Sequence, residues 1–180
     1  YSDDMHAAIS RNRLTEAKLL EFSTYSIHTN LLQELATKHY SVRLLLAHPE
    51  STPNVYQRQT VEKYLKELLL MRDQYSNRYD FQVRCYRQTA SFRGRKIGNQ
   101  LISVSWFTYG TQRIERSNMP EHLKQSRRPQ DLEGHTNVLI NADLSTPEGR
   151  VLENMFDRVF EDLWATALTL DDVAEGIGLA

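Results

Sequence analysis

The chain has 180 residues, with 22 Lys and Arg against 23 Asp and Glu and a formal net charge of −1. That balance excludes a global basic excess, so nucleic-acid binding would need a local patch. Hydrophobic residues make up 40% and charged residues 25%, which suits a globular domain with its own core, and no apolar run reaches the ~18–20 residues that span a bilayer.

The first residues, YSDDMHAAIS, carry no basic segment followed by an apolar run, so they do not read as a secretory signal. The absence of an initiating Met fits a processed product or a piece of a larger chain. Met5–Arg13 is a predicted short helix, followed by a strand over Ala17–Phe22. Ser26 is placed to cap a helix with Ile27, Leu31, Leu32, Leu35 and Ala36 on its inner side. Ser41–Ala47 is a continuous apolar strand broken only by Arg43, as expected for a sheet covered on both faces. Ser51 or Thr52 caps the next helix, predicted over Pro53–Arg72, with Val61, Tyr64, Leu65, Leu68 and Met71 inward.

Tyr79–Tyr86 alternates Phe81, Val83 and Cys85 with polar neighbours, as a half-buried strand does. Cys85 is the only cysteine, which excludes an internal disulfide. A buried inert thiol and a cytoplasmic setting are the expectation. The segment SFRGRKIGNQLISVS (91–105) reads as a basic approach to a strand over Leu101–Phe107. Thr111–Thr136 is polar and rich in Arg, Gln, Pro and Glu, the composition of a partly mobile surface excursion. A short strand over Asn137–Asn141 and an apolar-sided helix from Pro147 to Ala167 follow. The tail DDVAEGIGLA is expected to fray or to await a partner.

The order β-α-β-α-β-β-β-α predicts an α/β fold: a mixed, mostly parallel central sheet flanked by helices. One domain over 1–170 with a C-terminal tail over 171–180 is the expected organisation. Ligands of such sheets usually sit beyond the carboxyl ends of the strands. That rim offers Ser23, Thr24, Tyr25, His48, Glu50, Ser51, Tyr86, Arg87 and Tyr109.

The segments AISRNRLTEAKLLEFSTYS, LLQELATKHYSVRLLLAHPES and FQVRCYRQTASFRGRKIGNQLISVSWF, with the closing FDRVFEDLWATA, resemble the phospholipase D-like superfamily over about 7–167. They look most like divergent bacterial modules of regulatory or defence-associated proteins. The resemblance implies a phospholipase D-like α/β half that pairs with a second half across its site. Active members carry His-x-Lys-x4-Asp before an apolar strand; the His is the nucleophile, the Lys neutralises phosphate, and a second His is the general acid. Laid on that frame, Ser91 stands at the His position, Arg93 at the Lys position and Gly98 at the Asp position. The positive charge is kept and the nucleophile is lost. His122-Leu123-Lys124 repeats the His-x-Lys spacing, but its polar surroundings do not suit a core strand.

The candidate phosphate- or ligand-binding residues are Arg43, His48, Arg84, Arg87, Ser91, Arg93, Arg95 and Lys96. Arginine suits phosphate through its two-pronged guanidinium, and a His at a strand end can bind an anion or titrate near neutrality. Arg43 interrupts an apolar strand, so it points to the site rim or pairs with a carboxylate. No spacing predicts a metal site, and no cofactor is implied. The expected function is a non-catalytic regulatory or ligand-sensing module, acting as a homodimer on a phosphate-bearing small molecule or nucleotide. Two alternatives stand beside it. One is a phosphodiesterase or nuclease using His48, His122 or His135. The other is an accessory domain that binds nucleic acid.

Overall fold

Runs of apolar residues at strand spacing build the centre of the molecule. The computed structural model describes residues 7–9, 16–22, 29–75, 80–88 and 91–178. The strands are β1 (Glu16–Glu21), β2 (Ser41–Ala47), β3 (Phe81–Tyr86), β4 (Phe92–Ile97), β5 (Leu101–Arg113), β6 (Leu132–Asp143) and β7 (Leu168–Thr169). The helices are α1 (Thr29–Thr37), α2 (Val55–Tyr75), α3 (Glu121–Lys124), α4 (Pro147–Thr166) and α5 (Leu170–Gly176). Among the described residues the strands form one sheet in the order β6-β5-β4-β1-β2-β3-β7.

Only β1–β2 and β2–β3 pair in parallel. The other four pairings are antiparallel, so the expectation of a mostly parallel sheet is corrected. The cause is β4. Its sequence FRGRKI holds three cations and reads as an approach loop, yet it forms a strand in a tight hairpin with β5. The chain reverses at Gly98, whose φ of 53° falls where a side chain is disfavoured. Gly94 is required by packing: a Cβ there would meet Phe156 and the Ser103 carbonyl oxygen, each at 2.9 Å.

Side chains alternate between two cores. Leu19, Val42, Leu44, Leu46, Val83 and Ile97 face α1, α2 and α5. Leu20, Leu45, Tyr86, Ile102 and Val104 face α4, which presents Phe156, Phe160 and Trp164 at helical spacing. Thr146 caps α4 by accepting from the Gly149 N–H at 3.0 Å. Asn54, rather than Ser51 or Thr52, caps α2: its Oδ1 accepts from the Tyr56 and Gln57 N–H groups at 3.0 and 3.3 Å. The short turn Pro49–Ser51 takes up the residues between β2 and that cap.

Two segments are more ordered than their composition suggests. The tail forms most of α5, which follows β7, opens with a Thr169–Asp172 capping box and buries Leu170, Val173 and Ala174. The polar insertion lengthens β5 and β6 and latches onto α2. Arg58 donates to both carboxylate oxygens of Asp131 at 3.1 Å and to the Ser126 carbonyl at 2.7 Å. The Leu132 N–H donates to the Pro53 carbonyl at 2.7 Å. Ile114, Met119 and Leu123 pack with Val55 beneath it. The helix predicted over Met5–Arg13 lies largely outside the described residues, as do Ser23, Thr24, Tyr25, Ser26 and Tyr79.

Candidate anion-binding cavity

Strand alternation divides the basic residues that cluster in the sequence. Arg43, Arg84 and Lys96 point toward α4, whereas Arg93 and Arg95 point to the opposite face with Ile97. The α4 side is a closed network. Lys18 donates to Asp157 and Glu161, both at 2.8 Å. Arg43 donates to Glu161 at 3.0 and 2.9 Å and to Glu16 at 2.8 Å. Lys96 meets Glu153 at 2.7 Å and Asp157 at 2.6 Å. Arg84 donates to the Trp164 carbonyl at 2.9 Å and lies 4.7 Å from the centroid of that ring. Arg43 thus takes the carboxylate pairing, and Arg43, Arg84 and Lys96 fasten α4 to the sheet.

These contacts set the charge states. Burial disfavours the charge of Asp157, but hydrogen bonds from Lys18 and Lys96 outweigh it and hold the carboxyl below its ordinary range. Glu153 and Glu161 are lowered against the same burial by Lys96 with Arg150 and by Lys18 with Arg43.

On the opposite face, a cavity of about 290 Å³ opens where β1 ends and β4 begins. Its lining includes Glu21, Arg93, Arg95, Ser103, Ser105 and Leu139. Cross-strand register explains the grouping: Arg93 lies opposite Ser105, and Arg95 opposite Ser103. On the far side of β5, Ser105 lies opposite Leu139. Arg95 Nε donates to Glu21 Oε1 at 2.5 Å, and both side chains are buried. Arg93 is half-buried and, among the described residues, makes no side-chain hydrogen bond or ion pair. Ser103 is 1% exposed, and its hydroxyl has no hydrogen-bond partner among the described residues.

Among the described residues, a neutralised pair, an unpaired cation and an orphaned hydroxyl therefore share one concave surface. A buried hydroxyl without a partner costs about 1–3 kcal/mol, so it favours a ligand that bonds to it. The volume is at the low end of the roughly 300–1,000 Å³ of small-molecule sites, which suits a compact group. A larger groove of about 670 Å³ lies between α2 and α5. Its Arg72 is already bonded to Asp171 and Asp73, at 2.6 and 2.9 Å, and its other cation, Lys66, is exposed to solvent.

The remaining candidates lie around this cavity or away from it. Ser91 is exposed just before β4, and Arg87 is exposed just after β3. His48 is buried at the end of β2, and its Nδ1 accepts from the Glu50 N–H at 3.2 Å. Burial, then the charge of Arg87, lowers its pKa, so the ring is neutral near pH 7. Gly98 lies at the far end of β4, about 20 Å along the strand from Ser91. His122 and His135 are exposed, and Leu123 between His122 and Lys124 is buried in the insertion's small core. Tyr86 donates to the Glu21 carbonyl at 3.2 Å, and Tyr109 donates to Gln57 at 2.9 Å. Burial pushes the Tyr109 hydroxyl up to about 12.

Glu21, Ser103 and Ser105 were not among the expected residues. Their only sequence signal is polarity inside apolar strands, at LLEF and LISVS. Among the described residues no group of His, Cys, Asp and Glu could hold a metal ion, and no helix is long and apolar enough to cross a membrane. Compared with known proteins, the chain matches no family model and no curated protein.

Proposed function

We propose that the chain is a non-catalytic ligand-sensing module of a larger bacterial regulatory protein, built on a phospholipase D-like half. Its ligand carries a compact anion, a phosphate group of a small molecule or nucleotide. The observation that carries this reading is Arg93. The neighbouring candidates Arg43, Lys96 and Arg95 are neutralised within the fold, while Arg93 keeps its charge free at a cavity that also holds the orphaned Ser103 hydroxyl. Among the described residues no histidine lines that cavity, which favours binding over a phosphohistidine reaction.

Thermal unfolding in the presence of orthophosphate, pyrophosphate and the nucleoside monophosphates tests the reading. A ligand that binds only the folded state raises the melting temperature by mass action. At least one of these anions stabilises the protein, and Arg93→Ala removes the effect. A flat response to the whole panel counts against anion sensing.

A further inference from the structure

The two edges of the sheet are treated differently. The β7 edge is a two-residue strand followed at once by α5, a short and covered end. The β6 edge is twelve residues long and, among the described residues, pairs only with β5. Its centre, Val138-Leu139-Ile140-Asn141-Ala142, contains no charge and no proline. Val138, Leu139 and Ile140 are 72%, 40% and 37% exposed. The first half of α4, which packs against β5 and β6, adds Val151 at 68% and Met155 at 36%. A strand edge of this kind normally carries a lysine, a proline or a cover that blocks pairing. This centre has none of the three among the described residues.

We infer that the β6 edge is a docking surface for a second copy of this chain, the two β6 strands pairing antiparallel about a two-fold axis. The surface is self-complementary, as an isologous contact requires. An antiparallel two-fold sets the uncharged centre against itself and lays the His135 end of one strand beside the Asp143 end of the other. A twelve-residue strand is about 40 Å long. With the flank of α4 beside it, the face is about 20 Å deep and offers roughly 800 Å² per copy, the size of a standard specific interface. The site described above gains a neighbour, because Leu139 is both a wall of the cavity and a member of this edge. The inference does not depend on the anion reading, since edge, exposure and charge pattern hold whatever the cavity binds.

Sedimentation velocity of the protein at micromolar concentration tests it. The wild-type chain sediments at twice the chain mass, and Val138→Lys sediments as a monomer with an unchanged circular dichroism spectrum. Leu70→Lys, at an exposed apolar position away from this edge (70%), leaves the dimer intact. A second route uses Ile140→Cys, the middle of the uncharged centre, which the two-fold sets opposite its own copy. The native Cys85 thiol is buried and raised to about 12, so it stays silent under mild oxidation. Ile140→Cys then yields a disulfide-linked dimer. A wild-type monomer, a dimer indifferent to Val138→Lys, or a dimer broken by Leu70→Lys overturns the inference.

Discussion

Arg95 donates to Glu21 at 2.5 Å in the interior, while Arg93, two residues earlier on the same face of the same strand, has no partner among the described residues. The two arginines therefore have opposite predicted consequences. Arg95→Ala breaks the buried ion pair with the Glu21 carboxylate, and costs about 3–5 kcal/mol in chemical denaturation. Arg93→Ala changes stability by less than about 0.5 kcal/mol, because among the described residues it removes no hydrogen bond or ion pair. Equal losses for the two variants would contradict the assignment of one as structural and the other as available.

Ser103→Ala removes a buried hydroxyl that has no hydrogen-bond partner among the described residues. Denaturant unfolding of this variant without ligand gives a stability unchanged or raised by up to about 1 kcal/mol. A clear loss would mean that the hydroxyl is bonded in the free state.

Stability falls in acid through the α4 network. The folded-state pKa values of Glu153, Asp157 and Glu161 lie below their ordinary values, so the unfolded chain binds more protons in the acid range. Their contribution is fully present above the ordinary carboxylate pKa of about 4. It is lost as pH falls through the lowered folded values. The urea midpoint followed from pH 7 to pH 2 stays level and then drops below about pH 4. Asp157→Asn makes that drop shallower, and a steep fall between pH 7 and pH 5 would point to other groups.

The insertion is held as firmly as the core. Arg58→Ala takes the two-pronged partner from the fully buried Asp131 carboxylate, leaving it, among the described residues, only the Arg128 N–H at 2.8 Å and the Arg128 guanidinium at 3.8 Å, and costs about 1–3 kcal/mol. Limited proteolysis then cuts first within 114–131. Resistance equal to the wild type would show that the latch is dispensable.

Gly94→Ala places a methyl against Phe156 and the Ser103 carbonyl, where the backbone cannot yield, and lowers stability by about 1–3 kcal/mol. Thermal unfolding reads this directly. A neutral substitution would mean that α4 can shift on the sheet.

The parallel half of the sheet is legible in the sequence because its strands are buried on both faces. LLEF and VRLLLA leave no other structure that would hide so many apolar side chains. The long helices are legible from their inward stripes. β4 was not, because Arg93, Arg95 and Lys96 make FRGRKI look solvated. Arg95 and Lys96 have a place only once the tertiary partners Glu21, Glu153 and Asp157 are supplied from more than 50 residues away in the chain. The same holds for the insertion, whose polar residues turn inward as Arg58 meets Asp131. At the cavity, Arg93 was legible as a retained positive charge. Ser103 was not, because an unsatisfied hydroxyl is a property of the assembled sheet and not of the string.

The most direct test of the central claim is calorimetric titration of wild-type and Arg93→Ala protein with the most stabilising anion of the phosphate panel, at low and at high salt. Wild type binds one anion per chain, more weakly as salt rises, and Arg93→Ala does not bind at low salt. Binding that survives Arg93→Ala with the same affinity, or no binding by the wild type, would contradict the account.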